Sequence, residues 1–162
     1  MMKNVSKIFS GNSSQFVFLL NSNQELFVSG DNEYGQLGLG ESERNEKKIK
    51  KLTKIQNIPK GKIIDIQCGW AFSIILIENE IENENQNENP KRKLYSCGAY
   101  EYNGLDKRNK PTHEFTEIKS SLFENDDNIL DFSVGNVHTL VLTSKGKMIG
   151  WKYRMSIFSN SN

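Results

Sequence analysis

One pattern occurs three times along this 162-residue chain, and the repetition constrains the fold more than any other feature. Each copy begins with a short alternating strand, reaches a glycine (Gly11, Gly69 or Gly135) and continues as a run of bulky apolar residues. The three glycines recur at intervals of roughly 60 residues, which suits propeller blades whose loops vary in length. We therefore expect a single repeat region over residues 1–162, with units at 7–40, 63–105 and 129–152.

Within each unit the periodicity is that of β-strands. The apolar runs FVFLL, FSIILI and HTLVL are rich in aromatic and β-branched residues, and a second short strand follows each of them. No stretch combines helical periodicity with capping residues. The sequence therefore predicts an all-β fold built from repeats of short antiparallel strands.

The most distinctive segment is SGDNEYGQLGLG, Ser29 to Gly40. Its glycines permit positive φ angles or close approach of neighbouring backbone, and its two Asx residues suit a turn that bonds its own backbone. Its two leucines alternate with glycines, and we expect them to fill the core between blades. These residues are Gly30, Gly35, Gly38 and Gly40, Asp31 and Asn32, and Leu37 and Leu39.

This segment resembles the hallmark of the regulator of chromosome condensation repeat: a strand ending in glycine, Asx-rich turn residues, then Gly-Gln-Leu-Gly. The other half of the family pattern, Gly-x-x-His before an apolar run, matches Gly135 to Leu140. Elsewhere the match is partial, since Phe72 and Ser14 stand at the histidine position and Lys152 replaces a strand-ending glycine. By this resemblance, the repeat-defining structural residues are Gly11, Gly30, Asp31, Asn32, Gly35, Gln36, Leu37, Gly38, Gly40, Gly69, Gly98, Gly104, Gly135 and His138.

The resemblance covers nearly the whole chain and implies a seven-bladed propeller, of which about two and a half repeats, or about three blades, are present. Because propellers protect their sheet edges by closing a ring, so few blades predict an incomplete assembly. We expect a fragment, a truncated or interrupted gene product, or a partner in a larger assembly. Remaining blades from a longer chain would then cover the apolar faces that these blades leave open.

Composition narrows the classes of function. The chain has 21 Lys and Arg against 20 Asp and Glu, so no global charge draws it to nucleic acid or anionic lipid. No run approaches the ~20 apolar residues that span a bilayer. Cys68 and Cys97 are too few for a disulfide framework or a zinc site. We interpret them as reduced core residues of an intracellular protein, cytoplasmic or nuclear, although a bridge between them stays open.

Two charged segments interrupt the repeats. Residues 78–93 begin with ENEIENENQNEN, which buries too little to offset its ordering entropy and predicts a disordered insertion between two paired strands. Residues 44–54 carry six Lys and Arg, a composition that fits a nuclear address or a contact to phosphate. Apolar residues thread through this basic segment, and we favour a solvated edge strand and loop.

No motif for chemistry is found. The stretch Gly38 to Ser42 lacks the lysine and the helix of a phosphate loop, and Asp31 to Gly35 lacks the alternating ligands of a calcium loop. We interpret His138 as structural, with its ring bonded to backbone in a neighbouring turn, and His113 as solvated in a polar linker. We therefore predict no catalytic, cofactor-binding or metal-binding residue, no cofactor, and no enzymatic activity.

The sequence favours a non-catalytic protein-interaction module, because the loops on one rim of a propeller form a wide binding face. The family also includes exchange factors for a nuclear small GTPase, so the alternative is part of a guanine-nucleotide exchange factor, with a small GTPase as partner. A degenerate product without a separate function is a third reading. Both tryptophans favour packing, but Trp70, just after a turn glycine, is the better candidate for a partner contact.

Overall fold

The computed structural model describes residues 4–79, 90–105, 110–118, 123, 127–152 and 158–159. Within these residues the chain forms three four-stranded antiparallel sheets, each made of strands consecutive in sequence. The one helical element described is a 3₁₀ turn at Glu41–Glu43. This architecture confirms the predicted all-β fold of short antiparallel strands in propeller-like blades.

Each sheet is one blade. Blade 1 contains β1 Val5–Phe9, β2 Phe16–Asn21, β3 Leu26–Asp31 and β4 Lys48–Lys54. Blade 2 contains β5 Lys62–Cys68, β6 Phe72–Glu78, β7 Arg92–Gly98 and β8 Thr112–Glu117. Blade 3 contains β9 Ile129–Val134, β10 His138–Thr143, β11 Met148–Lys152 and β12 Phe158–Ser159. The fourth strand of every blade lies beyond the units 7–40, 63–105 and 129–152, which end with the third strand or the loop after it.

Strand register relates the three blades to one another. Phe16 pairs with Gly30, Phe72 with Gly98, and His138 with Lys152, so these pairs occupy equivalent places. The turn before β2 is longer by three residues than the turns before β6 and β10. The counterpart of Phe72 in blade 1 is therefore Phe16 and not Ser14, which instead accepts a hydrogen bond from the Gly11 N–H at 2.8 Å.

The core lies between the blades. Blades 1 and 2 share one cluster, in which Phe18 and Leu20 of β2 meet Ile75 and Ile77 of β6. Blades 2 and 3 share a second cluster, in which Ile74 of β6 belongs with Phe132, Val141 and Trp151, among others. Strand β6 therefore contributes to both clusters, one from each face of its sheet, which follows from the alternation of side chains along a strand.

Both charged segments adjoin or form strands of the blades. The basic segment forms β4, the outer strand of blade 1, with Lys48, Lys50 and Lys51 exposed, which confirms the predicted edge strand. Strands β6 and β7 pair up to Glu78 and Arg92, so the acidic insertion does separate two paired strands. Its residues 80–89 lie outside the described part of the chain.

His113 corrects one prediction. It lies on β8 and is 9% exposed, so the expectation of a solvated histidine in a polar linker is wrong. Pairing of β8 with β7 brings the residue under the loop that follows β3: a β-carbon at Gly35 would lie 2.6 Å from its Nδ1. The polar neighbours of His113 in sequence conceal this burial, because the covering loop comes from another blade.

Candidate protein-binding face

Strands in each blade alternate in direction, so turns of one kind gather at one end of the sheets. The turns before β2, β6 and β10 and the loops after β3 and β7 share one end, which we call the turn face. It comprises residues 10–15, 32–47, 69–71, 99–111 and 135–137, so far as the structure describes them. The opposite end carries the β2–β3 and β10–β11 hairpins and the insertion between β6 and β7.

Side-chain amides hold the loop after β3 in shape. Asn32 accepts a hydrogen bond from the Leu37 N–H at 3.2 Å and donates one to the Glu46 carbonyl at 3.1 Å. Gln36 is fully buried, donates to the Asp31 carboxylate at 3.1 Å and accepts from the Tyr34 N–H at 2.9 Å. These bonds satisfy backbone groups that no strand partner reaches, so the loop has a defined conformation.

The same loop packs against blade 2. The Ser73 hydroxyl donates to the Gln36 carbonyl at 2.7 Å, and Leu37 is fully buried in the cluster between the blades. Gly38 has a φ of 65°, and a β-carbon there would lie 2.7 Å from the ring of Phe115. The glycine therefore allows the close approach of two blades. Leu39, the other leucine expected to fill this core, is partly buried against it.

The loop after β7 repeats this arrangement with different residues. Asn103 accepts from the Leu105 N–H at 2.9 Å and donates to the Gly98 carbonyl at 3.2 Å. A β-carbon at Gly104 would lie 2.6 Å from the indole of Trp151, and that indole N–H donates to the Tyr102 carbonyl at 3.1 Å. Trp151 is 1% exposed, so the loop of blade 2 is clamped onto blade 3.

Trp70 stands out on the turn face. Its side chain is 44% exposed, whereas its backbone N–H donates to the Asn136 carbonyl of blade 3 at 2.9 Å. Its ring lies 5.8 Å from that of Tyr34 and 6.4 Å from that of Tyr102, measured between centroids. We call Tyr34, Trp70 and Tyr102 the aromatic cluster; it joins the loops of blades 1 and 2.

A cavity of about 480 Å³ opens on the turn face. It lies where the first strands of the three blades meet and is lined by the turns at Gly11, Gly69 and Gly135. Its lining combines hydroxyl, amide and backbone groups with a few apolar side chains and contains no charged side chain, so it offers hydrogen bonds without a fixed charge. Across it, the Gln67 amide accepts from the Val134 N–H and donates to the Phe132 carbonyl, both at 2.9 Å.

Both cysteines are free thiols in the core. Burial raises the pKa of Cys68 to about 12 and raises the pKa of Cys97 well above its usual value. Because the thiolate is the nucleophilic form, both sulfurs are protonated and unreactive at neutral pH. Neither thiol provides a nucleophile.

The two histidines lie in different blades. The His138 ring is exposed and sits against the α-carbon of Gly135, with no hydrogen bond from the ring to the described part of the chain, so the expected bond to a neighbouring turn is not present there. In the described ranges no cluster of three or more His, Cys, Asp or Glu side chains is placed to hold a metal ion. None of the helical residues described forms a segment long and apolar enough to cross a membrane.

The sequence is similar to that of proteins with a known repeat. Residues 23–76 match the family model of the regulator of chromosome condensation (RCC1) repeat. The chain is 31% identical over 142 residues to an RCC1 domain-containing protein of Dictyostelium discoideum, covering 78% of the chain and 25% of that protein. It is 28% identical over 126 residues to the secretion-regulating guanine nucleotide exchange factor of Bos taurus, covering 78% of the chain and 23% of that protein.

Solved structures agree on the fold. Yeast RCC1 (Prp20), crystallised with Kap60, superposes with a TM-score of 0.70 at 20% identity and covers 93% of this chain. Human WBSCR16 superposes with a TM-score of 0.67 at 22% identity and covers 91%. The chain spans 32% and 33% of these two structures, and about a quarter of the two relatives above. The protein is therefore made of repeats of the regulator of chromosome condensation family, folded as consecutive blades of a β-propeller.

Proposed function

We propose that the chain is a non-catalytic module that binds another protein through its turn face. The observation that carries the proposal is Trp70, a large aromatic side chain left 44% exposed in the middle of that face. Tryptophan is enriched among the residues that dominate binding energy in protein interfaces. The loops around it are fixed by buried hydrogen bonds, as at Gln36 and Asn103, so little conformational freedom is lost on binding.

A binding role without bond chemistry fits the residues of this face. Nucleophilic catalysis requires a nucleophile within hydrogen-bonding reach of a base. The thiols of Cys68 and Cys97 are buried and protonated, and the described cavity is lined without a histidine or a carboxylate. An intracellular location, cytoplasmic or nuclear, is in keeping with two unpaired thiols.

We further propose that additional blades from a longer chain complete the propeller. Ile8 on β1 is 68% exposed, and Leu130 and Leu142 in blade 3 are 50% and 43% exposed. These side chains lie on strands of the two outer blades, where a further sheet would cover them. The chain's coverage of about one third of the solved relatives supports the same view.

Two photocrosslinking variants test the location of the binding face. A photoreactive phenylalanine analogue replaces Asn12 in the turn before β2, or Ser22 in the hairpin after it; both are exposed turn positions in blade 1. In lysate of the source cells, we expect a discrete crosslinked protein at position 12 and none at position 22. Equal crosslinking at both positions, or crosslinking at position 22 alone, would show that the turn face is not the interface.

Part of a guanine-nucleotide exchange factor is the second candidate, favoured by the names of the relatives from Bos taurus and Mus musculus. Such a factor accelerates nucleotide release by binding the GTPase and performs no bond chemistry. The test is release of fluorescently labelled GDP from a panel of small GTPases, with and without the protein. Acceleration for one GTPase would identify the partner class, and no acceleration across the panel would remove this candidate.

A further inference from the structure

We infer that the aromatic cluster of Tyr34, Trp70 and Tyr102 binds an arginine or lysine side chain of the protein partner. The inference rests on the proposed function, since it assigns the partner's chemistry at the turn face. A cation over an aromatic face is attracted by the electrons of the ring, and tryptophan provides the strongest such site. Arginine side chains, with tryptophan and tyrosine, are also enriched at the centres of interfaces.

The fold does not require tryptophan at this position. The residue after the turn glycine is Asn12 in blade 1 and Asn136 in blade 3, both exposed. The backbone of the turn is satisfied independently of the side chain, because Trp70 uses its N–H to bond Asn136. Blade 2 therefore carries an exposed indole where the other two blades carry asparagine, which indicates a role for Trp70 outside the packing of the blades.

Hydrogen bonds to neighbouring residues hold the backbone of the aromatic cluster in place. The Tyr34 N–H is bonded to the buried Gln36 side chain, and the Tyr102 carbonyl is bonded to the indole of Trp151. Trp70 itself is tied to blade 3 through Asn136. Three loops from two blades therefore present the rings in a fixed arrangement, which reduces the entropy lost when a flexible side chain docks.

Two glutamates are sequence neighbours of the tyrosines of the cluster. Glu33 precedes Tyr34 and Glu101 precedes Tyr102, so an acid adjoins each tyrosine in sequence. Glu33 already binds an ammonium group, that of Lys47, with Oε1 and Nζ 3.2 Å apart. Glu101 forms no ion pair with the residues that the structure describes, which leaves its carboxylate available to a cation.

The charge of the loop that carries Tyr34 favours the same partner. Residues 32–47 contain four Glu against one Lys and one Arg. A surface of this sign attracts a basic protein segment and repels the phosphates of nucleic acid. The aromatic rings and the glutamates next to them in sequence thus favour the same chemical class, a cationic side chain carried by a protein.

A synthetic peptide tests the inference. The probe is a fluorescein-labelled decapeptide of alternating arginine and glycine, and its control has citrulline, an uncharged isostere, in place of each arginine. With the full chain, we expect saturable binding of the arginine peptide by fluorescence anisotropy and none of the citrulline peptide. Failure of the arginine peptide to bind, or equal binding of both peptides, would overturn the inference.

Two substitutions locate the site. Trp70→Asn, which installs the residue of the other two blades, should weaken binding about five- to tenfold. Glu101→Gln should weaken it about two- to threefold, more at low salt than at high salt. Unchanged affinity of the Trp70→Asn variant would show that the peptide binds by charge alone and would refute the aromatic site.

Folding and function are separated by two controls. In Trp70→Asn the remaining tryptophan is the buried Trp151, so its emission reports the contact between blades 2 and 3. Should that variant unfold, Trp70→Phe and Trp70→Leu provide the test: the ring-bearing variant should bind more tightly than the aliphatic one, and equal affinities would contradict the inference. Crosslinking at position 12 without peptide binding would leave the proposed function standing and the cationic partner rejected.

Discussion

Strand β6 of blade 2 and strand β10 of blade 3 occupy equivalent places, yet they are buried differently. Six of the seven residues of β6, from Phe72 to Ile77, are buried. On β10, exposed or half-exposed residues alternate with buried ones, because only Thr139, Val141 and Thr143 face blade 2. Strand β2 of blade 1 shows the complementary pattern, with Phe16, Phe18 and Leu20 buried.

The difference reflects the number of neighbours and not the kind of strand. Blade 2 has a blade against each face, so both sets of alternating side chains on β6 are covered. Blades 1 and 3 have one neighbour each within the described residues, so one set is covered. In repeat proteins of this kind, stability is carried by the interfaces between neighbouring units, and a position's energetic weight depends on which interface it reaches.

The largest difference is expected at Ile74 on β6 and its counterpart Leu140 on β10. Ile74→Ala should lower the free energy of unfolding by about 3–4 kcal/mol, since it removes buried volume between blades 2 and 3. Leu140→Ala should cost about 1 kcal/mol, because its side chain is half-exposed. Urea denaturation measures both. Equal losses would show that both faces of blade 3 are covered in solution.

A smaller difference is expected at the end of the third strand. Gly98 has a φ of 106°, and a β-carbon there would lie 2.6 Å from the α-carbon of Phe72. Gly98→Ala should therefore cost about 2–3 kcal/mol through strain and displacement of β6. The equivalent residue of blade 3 is the exposed Lys152, and Lys152→Ala should change stability by less than about 0.5 kcal/mol. Thermal unfolding measures the loss of stability in each variant. A loss in Lys152→Ala as large as that in Gly98→Ala would contradict the expected difference between the two blades.

The next comparison is between Gln67 on β5 and its counterpart on β9, the first strands of blades 2 and 3. Its amide bonds both Phe132 and Val134 of blade 3, so Gln67→Ala should cost about 1–2 kcal/mol. The equivalent residue on β9 is the exposed Ser133, and Ser133→Ala should have no measurable effect. Hydrogen exchange of the Val134 amide provides the readout. Unchanged protection of this amide in Gln67→Ala would show that the side chain does not join the blades.

The smallest effect is expected on the outer face of blade 3. Leu142 is 43% exposed, so Leu142→Lys should change the stability of this chain by no more than about 0.5 kcal/mol. In a longer protein with a further blade against this face, the same substitution should destabilise strongly, because the charge would be buried. Urea midpoints of the two proteins decide the question; similar tolerance in both would argue against a blade packed there.

The sequence predicted those parts of the fold that depend on local chemistry. The glycines and Asx residues of Ser29 to Gly40 indicated a turn, and Leu37 indicated a core contact between blades; the buried Leu37 fits that expectation. The apolar runs located β2, β6 and β10. The resemblance to the family supplied the propeller, which periodicity alone did not distinguish from other repeats of short strands.

What the sequence did not predict depends on contacts between blades. His113 is buried by a loop of blade 1, and the amide of Gln67 reaches backbone of blade 3. Strand β8 carries polar and charged residues with weak alternation, and its pairing with β7 identifies it. The aromatic cluster likewise joins residues far apart in sequence: the position of Trp70 after a turn glycine marks it as a contact candidate, whereas nothing in the sequence places Tyr34 and Tyr102 beside it.

The β6–β7 hairpin has a practical consequence for engineering. At its open end the Asn79 N–H donates to the Lys91 carbonyl at 2.9 Å, and Arg92 forms an ion pair with Glu78 at 3.0 Å. Because the two ends are fixed side by side, each doubling of the intervening length adds only about 0.6 kcal/mol of closure entropy. A reporter domain or an affinity tag can therefore be spliced in between Asn79 and Pro90, because the adjoining strand ends lie opposite the turn face.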